Sequence, residues 1–349
     1  MTILPVQRVS VAACVLALAG CTGGPGPPPP AQWREPVGSI APSPTPPPEL
    51  TLAFAGDVHF TGRTLALLDE PATALGPFAP MLRRADFAML NLETAVTDRG
   101  TPEPKTYHFR APATAYDALA AAGIDVISLA NNHTLDYGQI GLADTLASAE
   151  AAGMPYVGAG RTAREAYAPH LTTVAGVRIA VLGFSQVHEL ADSWAATAGR
   201  PGIAMAHDVD RAADAVATAA DRADLVIVYV HWGQEGNPCP TGEMREFAEA
   251  VVAAGADLVL GTHAHVLLAG GWLDEAYIHW GLGNFVWYGD SHSTDTGVLV
   301  LTLRGTEIVD VEFHPGVVSG TGQPVPVQDR DRDGVEARIA AAAACAGLD

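Results

Sequence analysis

From residue 50 onwards the chain alternates short apolar runs with amphipathic stretches, and the periods of two and of 3.6 residues separate its strands from its helices. Leu50 to Ala55 reads as a strand ending at Gly56-Asp57, and Asp86 to Leu90 as a second ending at Asn91-Leu92-Glu93. Ala113 to Ala122 has the period of a helix and is closed by Gly123; the strand Asp125 to Ala130 follows and stops at Asn131. A helix over Gln139 to Ala152, closed by Gly153, leads into Tyr156-Val157. Strands are then predicted over Val177 to Phe184, Leu225 to Val230 and Asp257 to Leu260. Helices are predicted over His207 to Ala220 and over Glu243 to Ala254, the second closed by Gly255. Glycine acts as the stop of three of these helices. After residue 270 the pattern turns to β: Ala276 to Trp280, Gly297 to Leu303 and Glu307 to Phe313, the last two forming a hairpin about Arg304-Gly305-Thr306. The fold class is α/β.

The residues before this pattern read differently. Arg8 precedes an apolar run, Val9 to Ala19, broken only by Ser10. Spanning a bilayer takes roughly 20 apolar residues, so the run is an export signal and not a transmembrane helix. Leu18-Ala19-Gly20-Cys21 resembles a bacterial lipobox, in which the cysteine is lipidated and becomes the mature N-terminus. The alternative is ordinary cleavage after Ala17-Leu18-Ala19, leaving a secreted soluble protein. Residues 22–48 carry Pro27 to Pro30 and the proline-rich stretch Pro42 to Pro48, which favour extended polyproline geometry and suit a stalk. The expected organisation is signal and lipobox over 1–21, linker over 22–48 and one domain over 49–349, with the protein exported and facing outward from the cell membrane. Cys14 leaves with the signal and Cys21 takes the lipid, so Cys239 and Cys345 remain. In an oxidising compartment they form a disulfide, or else stay as two buried thiols.

Composition narrows the partners. A chain 48% hydrophobic and 17% charged suits a well-cored globular protein. Its net charge of −20 argues against nucleic acid and against electrostatic docking on anionic lipid. A phosphate-bearing substrate would be repelled unless metal ions or local arginines reverse the sign. Lys105 is the only lysine among nineteen basic side chains.

The candidate chemistry lies in five segments: Gly56-Asp57-Val58-His59, Asn91-Leu92-Glu93, Asn131-Asn132-His133, His231-Trp232-Gly233 and Gly261-Thr262-His263-Ala264-His265. Each falls just after a predicted strand, on the edge where α/β sheets gather ligand-binding loops. Together they offer carboxylates, an amide oxygen and imidazoles, the set that borderline divalent metals take. Each segment alone has a plainer reading. Asn131-Asn132 could be a turn, Asp57 and Glu93 helix caps, His231 a core histidine, and His263 and His265 strand-end polar residues. All five together point to a two-metal hydrolase site.

Taken with Phe109-Arg110-Ala111-Pro112, Asp136-Tyr137-Gly138 and Gly283-Asn284-Phe285, these segments resemble the CapA-type, poly-γ-glutamate capsule biosynthesis family of the calcineurin-like metallophosphoesterase superfamily. The resemblance runs from about Leu50 to Val318. It implies a four-layer metallophosphatase sandwich of two mixed β-sheets flanked by helices, and two divalent ions drawn from Mn, Fe or Zn. Asp57, His59 and His265 would hold the first ion, Asn132, His231 and His263 the second, with Glu93 bridging in place of the usual aspartate. His133 would be the general acid. Thr134 stands where the superfamily places an acidic residue, so Asp136 would orient the ring instead. Arg110 and Asn284 become candidate substrate contacts, a surface salt bridge being the alternative for Arg110. His59, where many CapA-type members have methionine, favours an intact first site.

The function expected from this is an outward-facing, lipid-anchored, metal-dependent hydrolase acting on a phosphoester or an anionic polymer. Poly-γ-glutamate is joined by amide bonds, for whose synthesis a phosphoesterase centre has no obvious step. The second expectation is therefore a non-catalytic polymer-export or anchoring component that uses the fold as a scaffold, alone or beside a membrane synthase.

Overall fold

The computed structural model describes residues 49–289 and 292–349, together with Gly24 and Gly26. The export signal, Cys21 and the stalk over 22–48 otherwise lie outside the described residues.

The strands build two large sheets, beside two two-stranded pairs, and the chain visits the large sheets in turn. Strands β1 (Glu49–Val58), β2 (Phe87–Leu92), β3 (Val126–Ser128) and β4 (Tyr156–Val157) begin the first sheet. Strands β5 (His170–Val174), β6 (Val177–Ser185), β7 (Leu225–His231), β8 (Leu258–Thr262), β9 (Leu267–Leu273) and β10 (Ala276–Leu282) make the second. Strands β11 (Asn284–Val286), β12 (Asp295–Arg304), β13 (Glu307–Val318) and β14 (Pro324–Pro326) return to the first. Its order is β14-β13-β12-β1-β2-β3-β4, with β11 beside the end of β1; the second sheet runs β9-β10-β8-β7-β6-β5. Both are mixed: β1, β2, β3 and β4 run parallel while β12 and β13 are antiparallel, and β6, β7, β8 and β10 run parallel between antiparallel edges.

Strand alternation sets the layers. Leu50, Leu52 and Phe54 of β1 meet Ile179 and Val181 of β6 and Leu225, Ile227 and Tyr229 of β7 in the core between the sheets. Ala53 and Ala55 of β1 face outwards, onto Leu119 and onto Leu142 and Leu146 of the helices Thr114–Ala121 and Gly138–Ala152. Val226, Val228 and Val230 of β7 face the other way, onto Phe247 and Val251 of the helix Gly242–Ala253. The result is the expected four-layer α/β sandwich.

The helix ends agree with the pattern to within two residues, and Gly153 takes the left-handed cap of its helix. The helix over 207–220 begins later, at Val209, because Asp208 caps it by accepting from Arg211 N–H. The hairpin pairs Arg304 with Glu307, so its turn is Gly305-Thr306. Strand β3 is only three residues long, releasing Leu129 and Ala130 before Asn131. Three edge strands escape the sequence pattern, the short β14 among them. Strand β9 is interrupted by Gly270-Gly271, and β5 is half-exposed along its length.

Cys239 and Cys345 are joined in a disulfide across a sequence separation of 106, tying the C-terminal helix Asp329–Ala346 to the loop after β7. Arg245 donates to the carbonyls of Ala346 and Cys345 at the same place, and Arg338 grips Asp295 of β12 with two hydrogen bonds. Cross-linking so long a loop removes much conformational freedom from the unfolded chain. Replacing both cysteines by alanine should lower the unfolding free energy by about 2–4 kcal/mol, read from urea denaturation. An unchanged midpoint would show that the non-covalent ties alone hold the helix.

Candidate metal centre

The centre forms where β1, β2, β7 and β8 end together, at the seam between the two sheets. Gly56 makes the close approach at β1 workable: a Cβ there would lie 1.9 Å from the Gly283 carbonyl oxygen. Asp57 follows, paired in register with Asn91 on one side and Asn284 on the other. Glu93 leaves β2 with its N–H bonded to the Val58 carbonyl at 2.8 Å. His231 ends β7 opposite Thr262. Just beyond β8, His263 and His265 both adopt left-handed backbone conformations, at φ +87° and +56°. Bulky residues rarely tolerate that region, and such strain concentrates at functional sites.

Two groups of ligand atoms result, each with members within 4.8 Å of one another: Asp57, Glu93 and His231, and Glu93, His263 and His265. Glu93 belongs to both. Asn132 joins the first, its Oδ1 lying 2.8 Å from His231 Nε2. His263 Nδ1 lies 3.1 Å from the same nitrogen. The structure therefore draws Asp57, Glu93, Asn132, His231, His263 and His265 together, with Glu93 in the shared position. Proximity divides the others differently from the resemblance: Asp57 is grouped with His231, and His265 with His263. Asp57 Oδ2 nevertheless lies 3.6 Å from His265 Nδ1, so the two groups adjoin.

His59 stands outside both groups. Its ring stacks on Phe109 at 4.3 Å and meets the edges of Trp287 and Tyr288 at 4.4 and 4.6 Å. The N–H of Thr61 approaches its Nδ1 at 3.1 Å, and the N–H of Tyr288 its Nε2 at 3.4 Å. Asn284 is fully buried behind His265, with Oδ1 2.8 Å from Nδ1, where it orients the ring. Arg110 stacks its guanidinium over Tyr137 at 3.5 Å and donates to the Arg99 carbonyl at 2.8 Å.

His133 and Asp136 form a buried pair at the edge of the donors. His133 Nδ1 lies 2.6 Å from Asp136 Oδ2, which also accepts from Phe109 N–H. Phe109 covers the imidazole, ring on ring at 3.8 Å. His133 Nε2 faces Glu93 Oε1 at 3.7 Å.

Sequence reasoning leaves several partners unassigned. Asn91 donates to Asp57 Oδ1 at 2.7 Å, and Asn131 donates to Asn91 Oδ1 at 2.9 Å, so a relay of amides joins β1, β2 and the loop after β3. Thr262 Oγ1 lies 3.0 Å from His231 Nδ1. An amide ending an apolar strand is the signal that could have marked Asn91, since asparagine is depleted in strands.

Burial governs the charges here. It pushes Glu93 well above the usual carboxylate range, and the neighbouring Asp57 pushes it further. Burial would also raise Asp57, but its contacts with His265 and His231 carry it below its ordinary value. Burial drives His231 down to about 4 and His263 well down. It would lower His265 too, yet the contact with Asp57 and the nearby Glu93 hold it at about 9.

The donors fit a pair of divalent cations. Neither oxygen of Glu93, fully buried, has a hydrogen-bond partner among the described residues. Leaving a buried carboxylate unpaired is costly, and neutral buried imidazoles are the form that binds metal. Glu93→Gln should therefore weaken binding at both positions and raise the thermal stability of the metal-free chain. His265→Ala should weaken one position and leave the other. Titration calorimetry with zinc reads the stoichiometry; loss of a single equivalent in Glu93→Gln would show that the carboxylate is not shared.

Comparison with known proteins gives the family. The family described as bacterial capsule synthesis protein PGA_cap matches residues 51–288. The capsule biosynthesis protein CapA of Bacillus anthracis is 32% identical over 290 residues, covering 79% of this chain and 70% of that protein. The PGA biosynthesis protein CapA of Bacillus subtilis (strain 168) is 31% identical over 291 residues, covering 80% and 74%. The crystal structure of a hypothetical protein from Thermus thermophilus superposes with a TM-score of 0.50 at 19% identity, over 76% of this chain and 98% of that one, a likeness of fold alone. With the match extending over most of the domain, the chain belongs to the family of bacterial capsule synthesis proteins, PGA_cap.

Proposed function

We propose that this protein is a metal-dependent hydrolase of phosphoester bonds, held by a lipid on Cys21 at the outer face of the cell membrane. The observation that carries the reading is Glu93, a fully buried carboxylate with neither oxygen hydrogen-bonded, shared between two groups of metal-type donors. A purely structural scaffold gains nothing from such a group, which favours the enzyme over the non-catalytic alternative.

Asp57, His231 and Asn132 would hold one ion with Glu93, and His263 and His265 the other, again with Glu93; His59, expected as a ligand, stands outside both groups. Two such ions polarise a phosphoryl group and lower the pKa of water. The remaining work falls to the chain. Asp136 accepts the Nδ1 proton of His133 and fixes the ring so that Nε2 faces the centre. Burial first, and then the neighbouring Lys105, hold His133 well below its ordinary pKa, so the ring rests neutral with Nε2 bare; it would take a proton at Nε2 from the attacking water and pass that proton to the departing alkoxide. Phe109 covers the ring and keeps water from it.

The relatives are named for capsule and PGA biosynthesis. An anionic polymer is the natural context for this chain too, with a membrane synthase as its partner. The amide linkage of such a polymer directs a phosphoesterase to a phosphorylated precursor, terminus or anchor and not to the polymer backbone.

General acid catalysis is worth about 10²–10⁴-fold. His133→Gln should lose activity of that order on alkyl phosphoesters and far less on nitrophenyl esters, whose leaving groups need no proton. Equal losses on both would remove His133 from the acid role, and a parent protein that cleaves neither ester would remove the hydrolase reading itself.

Lipid anchoring depends on the Cys21 sulfur. Cys21→Ala should shift the protein from the membrane fraction to the medium or leave its signal uncleaved, as read by fractionation and immunoblot. Processed Cys21→Ala protein still retained in membranes would refute the anchor.

A further inference from the structure

Lys105 is the only lysine of the chain, and its side chain is 1% exposed. Long flexible ammonium groups are almost never buried unless paired. Its Nζ lies 3.0 Å from Asp136 Oδ1 and 3.0 Å from Glu189 Oε2, donates to the Asn132 carbonyl, and sits 5.1 Å above the Trp194 ring. Three loops meet at this one nitrogen. Asn132 and Asp136 come from the loop after β3 of the first sheet, and Glu189 from the loop after β6 of the second. Lys105 itself belongs to the segment that also bonds Asp136 through Glu103 N–H and Phe109 N–H.

The arrangement makes Lys105 the outer support of both the donors and the acid. Asp136 spends Oδ2 on His133 Nδ1 and Phe109 N–H, leaving Oδ1 to the ammonium. The Asn132 carbonyl that Lys105 holds belongs to the peptide joining Asn132 to His133. Fixing that peptide fixes where the Asn132 amide oxygen points, 2.8 Å from His231 Nε2, and where the imidazole begins. Outer partners of this kind orient the groups that touch metal and substrate, and removing one commonly costs 10–100-fold.

We propose that Lys105 is a positioning residue of the centre: its ammonium locks Asp136 and the Asn132 peptide into one arrangement, aiming His133 Nε2 and the Asn132 amide oxygen, while Glu189 ties that arrangement to the loop of the opposite sheet. The role in turnover rests on the hydrolase reading above; the positional role does not.

The test uses the zinc-loaded full chain. Selective ¹⁵N labelling of lysine gives one ammonium resonance because there is one lysine, and that resonance should move in both Asp136→Asn and Glu189→Gln. The ring-nitrogen resonances of His133, identified by their loss in His133→Gln, should report a fixed Nδ1–H tautomer in the parent. They should report a mixture in Lys105→Met and a return towards the parent in Lys105→Arg. On alkyl phosphoesters Lys105→Met should lower kcat by roughly 10–100-fold, with KM little changed and the nitrophenyl ester less affected. An unaltered His133 tautomer in Lys105→Met, or an ammonium resonance indifferent to Asp136→Asn, overturns the proposal. Should Lys105→Met fail to fold, the Glu189→Gln ammonium shift and the Lys105→Arg tautomer decide the matter. A parent that hydrolyses no phosphoester defeats the proposed function, and the ring-nitrogen measurement still decides whether Lys105 positions His133.

Discussion

The rest of this centre follows from one constraint, the burial of the Glu93 carboxylate without a hydrogen-bond donor. Taking a carboxylate out of water costs several kcal/mol, and proteins keep such a group only where a partner compensates it. Here the neighbours are another carboxylate, Asp57, and the rings of His133 and His231, 3.7 and 3.5 Å from Glu93 Oε1. Burial keeps most of those rings uncharged, with His265, held at about 9 beside Asp57, as the exception. The cluster is thus short of positive charge and rich in lone pairs, a lack that divalent cations would supply.

Such a cluster can be built only where several backbones end close together. The parallel strands β1 and β2 of one sheet and β7 and β8 of the other all stop at the same seam. Gly56 lets β1 lie against the Gly283 carbonyl, and Gly261 does the same for β8, where a Cβ would sit 2.1 Å from the Trp280 carbonyl oxygen. The amide relay from Asp57 through Asn91 to Asn131 then locks three neighbouring strand ends. The left-handed conformations of His263 and His265 are the local cost of turning two rings into the seam within three residues.

How much of this is legible in the sequence depends on where each signal lies. Strands buried on both faces, such as β7, announce themselves as unbroken apolar runs, and three of the predicted helices end at glycines. Edge strands carry neither mark, which is why β5 and β9 do not show in the sequence. Asp57, Glu93, His231, His263 and His265 stand out because each metal-binding type follows an apolar run. The division of donors between two groups does not stand out, because it depends on distances across a seam between sheets that no local pattern encodes. Asn284 reads as a substrate contact from its motif, whereas its place behind His265 is set by the register between β1 and β11. Lys105 is conspicuous only as a composition oddity; its partners Asp136 and Glu189 lie 31 and 84 positions further along the chain.

The charge balance bears on the order in which the centre would fill. The chain carries a net charge of −20, and Glu235, paired with His292 at 3.3 Å, adds its field to that of Asp57 at Glu93. The nearby cations are already engaged: Lys105 lies between Asp136 and Glu189, and Arg110 is turned onto Tyr137 and the Arg99 carbonyl. An anionic group approaching the bare donors would meet two carboxylates and no free basic side chain among these residues. The same repulsion draws divalent cations in, because like charges held together in a low-dielectric site strengthen the field that a cation feels. Electrostatics therefore favours cations first and an anion second. With ions bound, a centre arranged this way would meet an anionic group through those ions, leaving shape and orientation to the protein.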